Sequence, residues 1–410
     1  MDAADGLDLP AFRGLREGQF PAPFPNAMDW PSRVAKEVQP VAESTLTVGM
    51  DVHKESVAVA VLRGHESTPY LVQTLPHDPS RLRRFFGRLR REGEVRACYE
   101  ASGCGYVLQR AMGSWGVPCE VIAPSLIPKR SGDRRKTDRR DAVNLAHLYR
   151  AGELTAVRVP SEAEESVRSL LRCREAISHE LQQSRQRIVK HLYARGVVYT
   201  NGKHWTLRHM RWLRALTLEA HDALVLHTHL TMMDHKSLHL AGLDEKIEAL
   251  SHEDPYRAPV ARLRCLRGVD TLTAMGIVVE IGDVRRFPNP RALMGYLGLT
   301  VSEYSSGGTE RRGGITKAGN GRARRLLVEA AWHYRFPARS STWLQDRRRG
   351  QDPALVVHAE RAEHRLHKRY FQLQLRMPTT RAVTAVAREL SGFVWAILWN
   401  EPHLLSGGRR

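Results

Sequence analysis

The sequence has little cysteine, and its cysteines form neither a metal-binding nor a disulfide pattern. The 410 residues include five of them: Cys98, Cys104, Cys119, Cys173 and Cys265. The set is odd in number, contains no C-x-x-C pair and has no histidine at the spacing of a zinc ligand. We therefore expect free, mostly buried thiols in a reducing cytoplasm rather than a zinc site or a disulfide framework.

Long apolar runs and acidic residues are also scarce. No uninterrupted apolar run reaches the roughly 18 residues of a membrane span, and the acidic start "MDAADGLDLP" is unlike a signal peptide. Asp and Glu total 44 against 63 Lys and Arg, so the net charge is +19. A basic surface gains affinity for a polyanion by displacing the counterions condensed on its phosphates. The composition therefore favours nucleic acid, and no membrane, as the partner.

The order of patterns along the chain predicts several domains. Residues 1–43 are proline-rich without hydrophobic periodicity, so we expect a flexible extension. Residues 44–157 predict three strands followed by helix, strand, helix, strand and helix, typical of an α/β sheet with an antiparallel and a parallel side. Residues 158–255 predict long helices, and residues 256–410 predict a mostly helical domain. The expected fold class is α/β plus α.

The helical middle of the chain carries heptad-like spacing. Ser161 and Glu164 form a capping box at its start. Apolar residues then recur at steps of three, four and seven residues, namely Ile177, Leu181, Ile188 and Leu192, and then Leu240, Leu243, Ile247 and Leu250. This spacing predicts an antiparallel or paired coiled coil, with ordinary internal helix packing as the alternative.

Four acidic residues fall where an α/β sheet would gather them. Asp51 lies on the first predicted strand, Glu100 lies at the end of the fourth, and Asp138 and Asp141 lie one turn apart on a helix. Carboxylates that converge repel one another unless a hard cation binds them, and Mg²⁺ prefers oxygen ligands. We expect two Mg²⁺ ions, which together can bracket a displacement at phosphorus. Taken singly, each acid has an ordinary alternative role in a turn or at a helix start.

Basic residues surround the acidic pair, and we expect them to bind a phosphate backbone. They are Lys129, Arg130, Arg134, Arg135, Lys136, Arg139 and Arg140. A second set of predicted nucleic-acid contacts, Arg311, Arg312, Lys317 and Arg322, lies in the glycine-rich segment of the last third. The alternative for the first set is a solvated loop.

Two features of the last third suggest contacts with DNA. The turn "RGVD" between two predicted helices suggests a helix-hairpin-helix unit whose amides face a phosphate. In "YSSGGTERRGG", Ser305 and Ser306 precede two glycines and two arginines. A serine there would attack DNA and hold it as a phosphoserine, with the glycines allowing close approach. A flexible Ser-Gly loop is the alternative.

The quoted segments together resemble a known family. "GMDVHKESVAVAV", "CYEASGCGY", "KTDRRDAVNLAHLYRAGEL" and "FPNPRALMGYLGLTVSEYSSGGTERRGGITKAGNGRARRLLVEAAW" are similar to the DEDD-type insertion-sequence-110 transposases, which are related to the Piv-type DNA invertases. The resemblance covers residues 45 to 400. It implies a RuvC-like (RNase H-type) α/β domain at 44–157, a coiled coil at 158–255 and a transposase domain at 256–410. The extension at 1–43 lies outside the family core.

The resemblance also implies site residues and partners. The acid tetrad maps onto Asp51, Glu100, Asp138 and Asp141, and the family serine maps onto Ser305 or Ser306, with Ser306 slightly preferred. Expected partners are donor and target double-stranded DNA, a structured guide (bridge) RNA and further copies of the chain in a homodimer or homotetramer. The expected location is the prokaryotic cytoplasm, at the nucleoid. The rivals are a RuvC-like nuclease or junction resolvase that uses activated water, and a non-catalytic nucleic-acid scaffold.

Overall fold

The computed structural model describes residues 44–128, 137–305, 311–339 and 341–400. Several predicted features lie outside these residues: the extension at 1–43, Ser306, and Lys129, Arg130, Arg134, Arg135 and Lys136. The chain divides into two compact units, one of Met1–Glu120 with Pro128–Leu154 and one of Val121–Ile127 with Thr155–Arg410. The finer division into four segments stays a prediction.

The first unit is built on a mixed sheet, as its element order predicted. Its elements are β1 (Thr45–Val52), β2 (Ser56–Arg63), β3 (Leu71–Pro76), α1 (Pro79–Glu92), β4 (Glu94–Glu100), α2 (Val107–Ser114), the first half of β5 (Cys119–Ile122) and α3 (Asp138–Arg150). The sheet order is β3-β2-β1-β4-β5. β2 pairs antiparallel with β1 and β3, whereas β1 and β4 run parallel. The predicted antiparallel and parallel sides of the sheet are therefore confirmed.

Helix α3 packs closely on the centre of this sheet because small residues face each other there. A β-carbon on Gly49 of β1 would overlap the backbone of Ala142 and Ala146 on α3. Ala142 also belongs to a small buried cluster with Ala58 and Ala60 of β2. Since none of these side chains is larger than a methyl group, the helix backbone approaches the strand directly.

The second unit begins with a long helical hairpin. Helices α4 (Glu162–Tyr193) and α6 (Ala220–Ser251) lie antiparallel, with the short α5 (Leu207–Arg214) between them in sequence. The direction follows from two side-chain pairs, because Arg174 contacts Asp244, whereas Ser184, further along α4, contacts Lys236, which lies earlier on α6. The capping box of Ser161 and Glu164 is confirmed.

The buried residues of the two helices follow heptad-like spacing. On α4 they are Leu181, Ser184, Ile188 and Leu192, and on α6 they are Leu226, Leu230, Met233, Ile247 and Ser251. The predicted positions Leu181, Ile188, Leu192 and Ile247 are thus buried. The alternation of three- and four-residue steps is the spacing that lets side chains of two helices interlock.

The rest of the second unit is mostly helical around one hydrophobic core. Its elements are α7 (Arg257–Leu263), α8 (Thr271–Ile281), α9 (Pro290–Tyr296), β6 (Val301–Glu303), β7 (Arg312–Ile315), α10 (Gly321–Ala331), α11 (Thr342–Arg348), α12 (Pro353–Gln374) and α13 (Thr379–Trp399). The two helices predicted on either side of "RGVD" are α7 and α8. Gly268 in its turn has φ of 77°, a conformation that glycine adopts without strain.

Helix α13 is long and apolar enough to cross a membrane, judged by length and composition alone. However, 56% of its most apolar window is buried inside the protein. Val383, Leu390 and Val394 on this helix are fully buried members of the core, which also contains residues of α10 and α12. A buried helix of this kind is what the core of a large helical domain requires.

Candidate functional site

Two of the predicted acids lie at the same edge of the sheet. Asp51 stands near the end of β1 and Glu100 is the last residue of β4. In the parallel pairing of these strands Met50 lies opposite Tyr99, so Asp51 and Glu100 follow at adjacent strand ends. The carboxyl ends of parallel strands are where α/β sheets gather polar groups.

The other two acids come from the first turn and a half of α3. Thr137 caps this helix, and its hydroxyl oxygen accepts a hydrogen bond from the backbone N–H of Arg140 at 3.4 Å. Asp138 is therefore the first helical residue and Asp141 follows one turn later. Because Gly49 holds α3 against β1, the start of the helix lies beside the end of the strand that carries Asp51.

Three potential metal ligands come together at this place. Ligand atoms of Asp51, His53 and Asp138 all lie within 4.8 Å of one another. The Nε2 atom of His53 lies 3.3 Å from Oδ2 of Asp51 and 3.5 Å from Oδ2 of Asp138. Among the described residues no other group of three potential ligands is this close, and Glu100 and Asp141 do not belong to the cluster. The structure thus brings two of the four predicted acids into direct proximity.

His53 was missed as a site residue by the sequence reasoning. It stands two positions after Asp51, and side chains two apart along an extended strand point to the same face. The two-residue spacing of Asp51 and His53 is visible in "GMDVHKES". The sequence does not show, however, whether side chains keep alternating between the two faces beyond Val52, where the chain turns. In the structure it does.

The cluster could bind a divalent cation, because it offers suitable ligand atoms and is accessible to solvent. Two carboxylates and one imidazole supply oxygen and nitrogen ligands of the kinds that divalent metals accept. The side chain of Asp51 is 21% exposed, that of His53 is 52% exposed and that of Asp138 is 60% exposed. A cation held there would keep coordination positions open towards solvent, as a phosphate-binding site requires.

The described part of the predicted serine loop belongs to a small hairpin of the second unit. β6 and β7 pair antiparallel, with Val301 opposite Ile315 and Glu303 opposite Arg312. Ser305 follows β6, and its hydroxyl donates a hydrogen bond of 2.9 Å to the carboxylate of Glu303. A serine oxygen already donating its proton to a carboxylate has an acceptor in place for deprotonation.

The base of this hairpin is tightly closed. The backbone N–H of Thr316 donates to the carbonyl of Thr300 at 2.8 Å, and that of Lys317 donates to Gly298 at 3.1 Å. Gly298 and Gly319 have φ of 63° and 75°, and a β-carbon on either would overlap the backbone of the facing segment. Gly298 and Gly319, on the two sides of the hairpin, therefore allow a close approach of two backbone segments.

A buried glutamate anchors the segment that follows the hairpin. Both carboxylate oxygens of Glu280 accept hydrogen bonds from Arg172, at 2.9 and 3.1 Å, and one also accepts from Asn320 at 2.9 Å. Burial alone would raise the pKa of Glu280, but the hydrogen bonds from Arg172 and Asn320 outweigh it and lower that pKa. Asn320 also caps α10, so one side chain joins α8 to the start of α10.

The predicted nucleic-acid contacts have different surroundings. Arg139, Arg140, Arg311, Arg312 and Lys317 are exposed. By contrast, Arg322 forms an ion pair with Glu175, which also pairs with Arg325 at 2.7 Å. Arg322 would have to leave this pair to contact a phosphate.

Comparison with protein families assigns both units to transposases. Residues 48–194 match the model of DEDD-type IS110 transposases, and residues 260–344 match a model described as the transposase IS116/IS110/IS902 family. The first match contains Asp51, Glu100, Asp138 and Asp141, and the second contains Ser305. DEDD-type transposases use a divalent metal, in keeping with the cluster of Asp51, His53 and Asp138.

Individual relatives extend over most of the chain. The protein y4qE of Sinorhizobium fredii, which is named as a transposase, is 42% identical over 85% of this chain and 87% of its own length. The transposase for insertion sequence element IS1533 of Leptospira borgpetersenii is 35% identical over 80% of this chain and 96% of its own length. A transposase for IS1111A from Coxiella burnetii is 26% identical over 64% of this chain. The chain therefore belongs to the IS116/IS110/IS902 family of insertion-sequence transposases.

Proposed function

We propose that this transposase cleaves and rejoins DNA with a Mg²⁺-binding tetrad and a nucleophilic serine. The observation that carries the proposal is the meeting of Asp51 and Asp138, from a strand end and a helix start, in a cluster open to solvent. The mixed sheet with its covering helix supports a RuvC-like, RNase H-type fold for the first unit. Glu100, at the strand end beside Asp51, and Asp141, one turn after Asp138, would complete the tetrad when substrate binds.

In this proposal the acids hold the cation and the scissile phosphate in place. Two Mg²⁺ ions, when bound, would polarise the phosphate and offset the charge that develops in the transition state. Asp51 and Asp138 supply oxygen ligands from two rigid elements, which keeps their separation fixed. The exposed Arg139 and Arg140 lie on the same helix as Asp138, where they would bind the DNA backbone near the acids.

The covalent step is carried out by Ser305 or Ser306, which lie in sequence between β6 and β7. The oxygen of Ser305 or Ser306 attacks phosphorus, a serine–phosphate bond forms, and the bond to the 3′ oxygen breaks. The products are a 5′-phosphoserine and a free 3′ hydroxyl, and a second strand end reverses the step. If Ser305 is the nucleophile, Glu303 is placed to accept its proton at 2.9 Å. The bond energy is conserved for rejoining.

The partners follow from charge and from the family. The net charge of +19 supports binding of donor and target DNA and of a structured guide RNA. The acids and the serine lie on separate units, so a homodimer or homotetramer would let one copy supply the acids and another the serine. The helical hairpin of α4 and α6, whose heptad-spaced residues are buried within one chain, would bring the copies together through its outer surface. The cytoplasmic nucleoid is the corresponding location.

Covalent trapping separates this proposal from its rivals. The protein is incubated with end-labelled donor DNA and Mg²⁺, and covalent adducts are counted after denaturation. We expect adducts with the natural chain and none with the Ser305→Ala/Ser306→Ala double variant. Cleavage that persists without adducts would favour a nuclease or resolvase that uses water. Recombination that survives replacement of both Asp138 and Asp141 by alanine would favour a non-catalytic scaffold.

A further inference from the structure

The side chain of His53 is directed between the two carboxylates of the cluster. Its Nε2 atom is nearly equidistant from Asp51 and Asp138, at 3.3 and 3.5 Å. The three ligand atoms form a triangle whose sides all fall within 4.8 Å. Two oxygen ligands and one nitrogen ligand bound to a common ion at about 2.0–2.2 Å each lie within roughly 4.4 Å of one another. The triangle therefore has nearly the size of three ligands around one cation.

The turn that carries His53 is fixed by hydrogen bonds from outside it. The backbone N–H of His53 donates to the carbonyl of Ser56 at 2.9 Å. The carbonyl of His53 accepts a hydrogen bond of 2.7 Å from Nδ1 of His77, and the N–H of His77 donates to the carbonyl of Glu55 at 2.9 Å. His77 thus joins the β1–β2 turn to the end of β3. The backbone of His53 is held on both sides, so its imidazole starts from a defined position.

We propose that His53 is a nitrogen ligand of the divalent cation, beside Asp51 and Asp138. The inference rests on the proposed metal-dependent function and adds a ligand that the four-carboxylate pattern does not contain. His77 is then a positioning residue that acts through the backbone of His53. The metal centre is a mixed nitrogen and oxygen site rather than an all-oxygen one.

A nitrogen ligand changes which cations the site prefers. Imidazole binds Mn²⁺ and Co²⁺ more strongly relative to Mg²⁺ than a carboxylate or water does. Replacing His53 therefore weakens binding of Mn²⁺ and Co²⁺ more than binding of Mg²⁺. If His53 only neutralised the carboxylates, its loss would affect all three cations alike.

Pulsed electron paramagnetic resonance of Mn²⁺ tests the assignment directly. The full-length, metal-stripped protein is loaded with Mn²⁺ below stoichiometry, and the spectrum is examined for magnetic coupling to a directly bound nitrogen. The variants are His53→Gln, Asp51→Asn and, as a matched control, His65→Gln, which changes an exposed histidine of the next turn. A second sample carries ¹⁵N in its histidines only, so the assignment to histidine holds even if a variant folds poorly.

The expected result is nitrogen coupling in the natural chain and in His65→Gln, a change of that coupling on ¹⁵N labelling, and its loss in His53→Gln. The Mn²⁺ affinity of His53→Gln should fall by about 10-fold or more. Replacing a residue that only hydrogen-bonds to a metal ligand already lowers metal affinity by about 10- to 100-fold. If Mn²⁺ binds, and its binding requires Asp51 but the spectrum shows no nitrogen coupling, His53 is not a ligand. The proposed metal site at Asp51 would still be supported. Failure of the natural chain to bind Mn²⁺ would overturn both.

Discussion

Gly49 of β1 lies against the backbone of Ala142 on α3 so closely that a β-carbon on the glycine would overlap the alanine carbonyl oxygen. This approach fixes the distance between the strand that carries Asp51 and the helix that carries Asp138. The proposed metal centre thus depends on a residue that has no side chain. A glycine two residues before an acid is a structural requirement of the site and not only of the sheet.

Replacement of Gly49 by alanine should displace α3 and separate the acids. We expect a loss of about 1–3 kcal/mol in the free energy of unfolding, typical of overpacking, together with weaker metal binding. Gly87→Ala is the control, because a β-carbon at Gly87 in helix α1 meets nothing within 4 Å. Denaturant unfolding and Mn²⁺ titration measure both effects. If both variants had the same free energy of unfolding and the same Mn²⁺ affinity, the close approach of β1 and α3 would not determine either property.

Removal of one cluster acid should abolish cleavage without abolishing DNA binding. Asp51→Asn and Asp138→Asn each remove a charged oxygen ligand, and the loss of several kcal/mol of transition-state stabilisation lowers the cleavage rate at least about 100-fold. Glu66→Gln, an exposed acid on the β2–β3 turn, serves as the charge-matched control. Gel-shift and strand-cleavage assays on the same samples separate the two activities. Cleavage at the natural rate in both cluster variants would contradict the metal centre.

The stability of the second unit should fall on acidification because of Glu280. Its pKa is lowered in the folded state, so its contribution is complete above the ordinary glutamate pKa of about 4.3. That contribution is lost as the pH falls through the lower folded pKa. Glu280→Gln should be less stable than the natural chain at neutral pH, and the difference should shrink in acid. An exposed control, Glu329→Gln, should show a much smaller difference, and a difference for Glu280→Gln that grew in acid would contradict the assigned sign.

Replacing Asn320 should lower the free energy of unfolding by more than the loss of a helix cap alone. Its carboxamide oxygen caps α10, and its nitrogen donates to the buried Glu280. Asn289 only caps α9, which gives a matched comparison. We expect Asn289→Ala to cost about 1 kcal/mol and Asn320→Ala to cost 1–3 kcal/mol more, since it leaves Glu280 with one partner fewer. Equal costs by denaturant unfolding would show that the link to Glu280 contributes nothing.

The sequence predicted best what local patterns determine. The order of strand and helix patterns gave the mixed sheet of the first unit, and the capping box at Ser161 gave the start of α4. Each of these depends on side chains within a few positions. The heptad-like spacing likewise identified Leu181 and Ile247 as buried.

Contacts between distant segments were not predictable in the same way. The joining of Arg172, Glu280 and Asn320 links three helices, and no local pattern marks these residues as partners. The inclusion of His53 in the acidic cluster depends on how the β1–β2 turn is held by His77. The pairing of Arg322 with Glu175 likewise followed from packing and not from the basic run that contains it.

The most direct measurement of the central claim is the site of covalent attachment to DNA. Adducts formed with donor DNA in Mg²⁺ are digested with protease and nuclease, and the nucleotide-bearing peptide is identified by mass spectrometry. If a serine is the nucleophile, we expect a single modified serine, Ser305 or Ser306, joined to a 5′ phosphate, with a free 3′ hydroxyl on the other DNA end. Attachment at another residue, or cleavage with a free 5′ phosphate and no adduct, would contradict it.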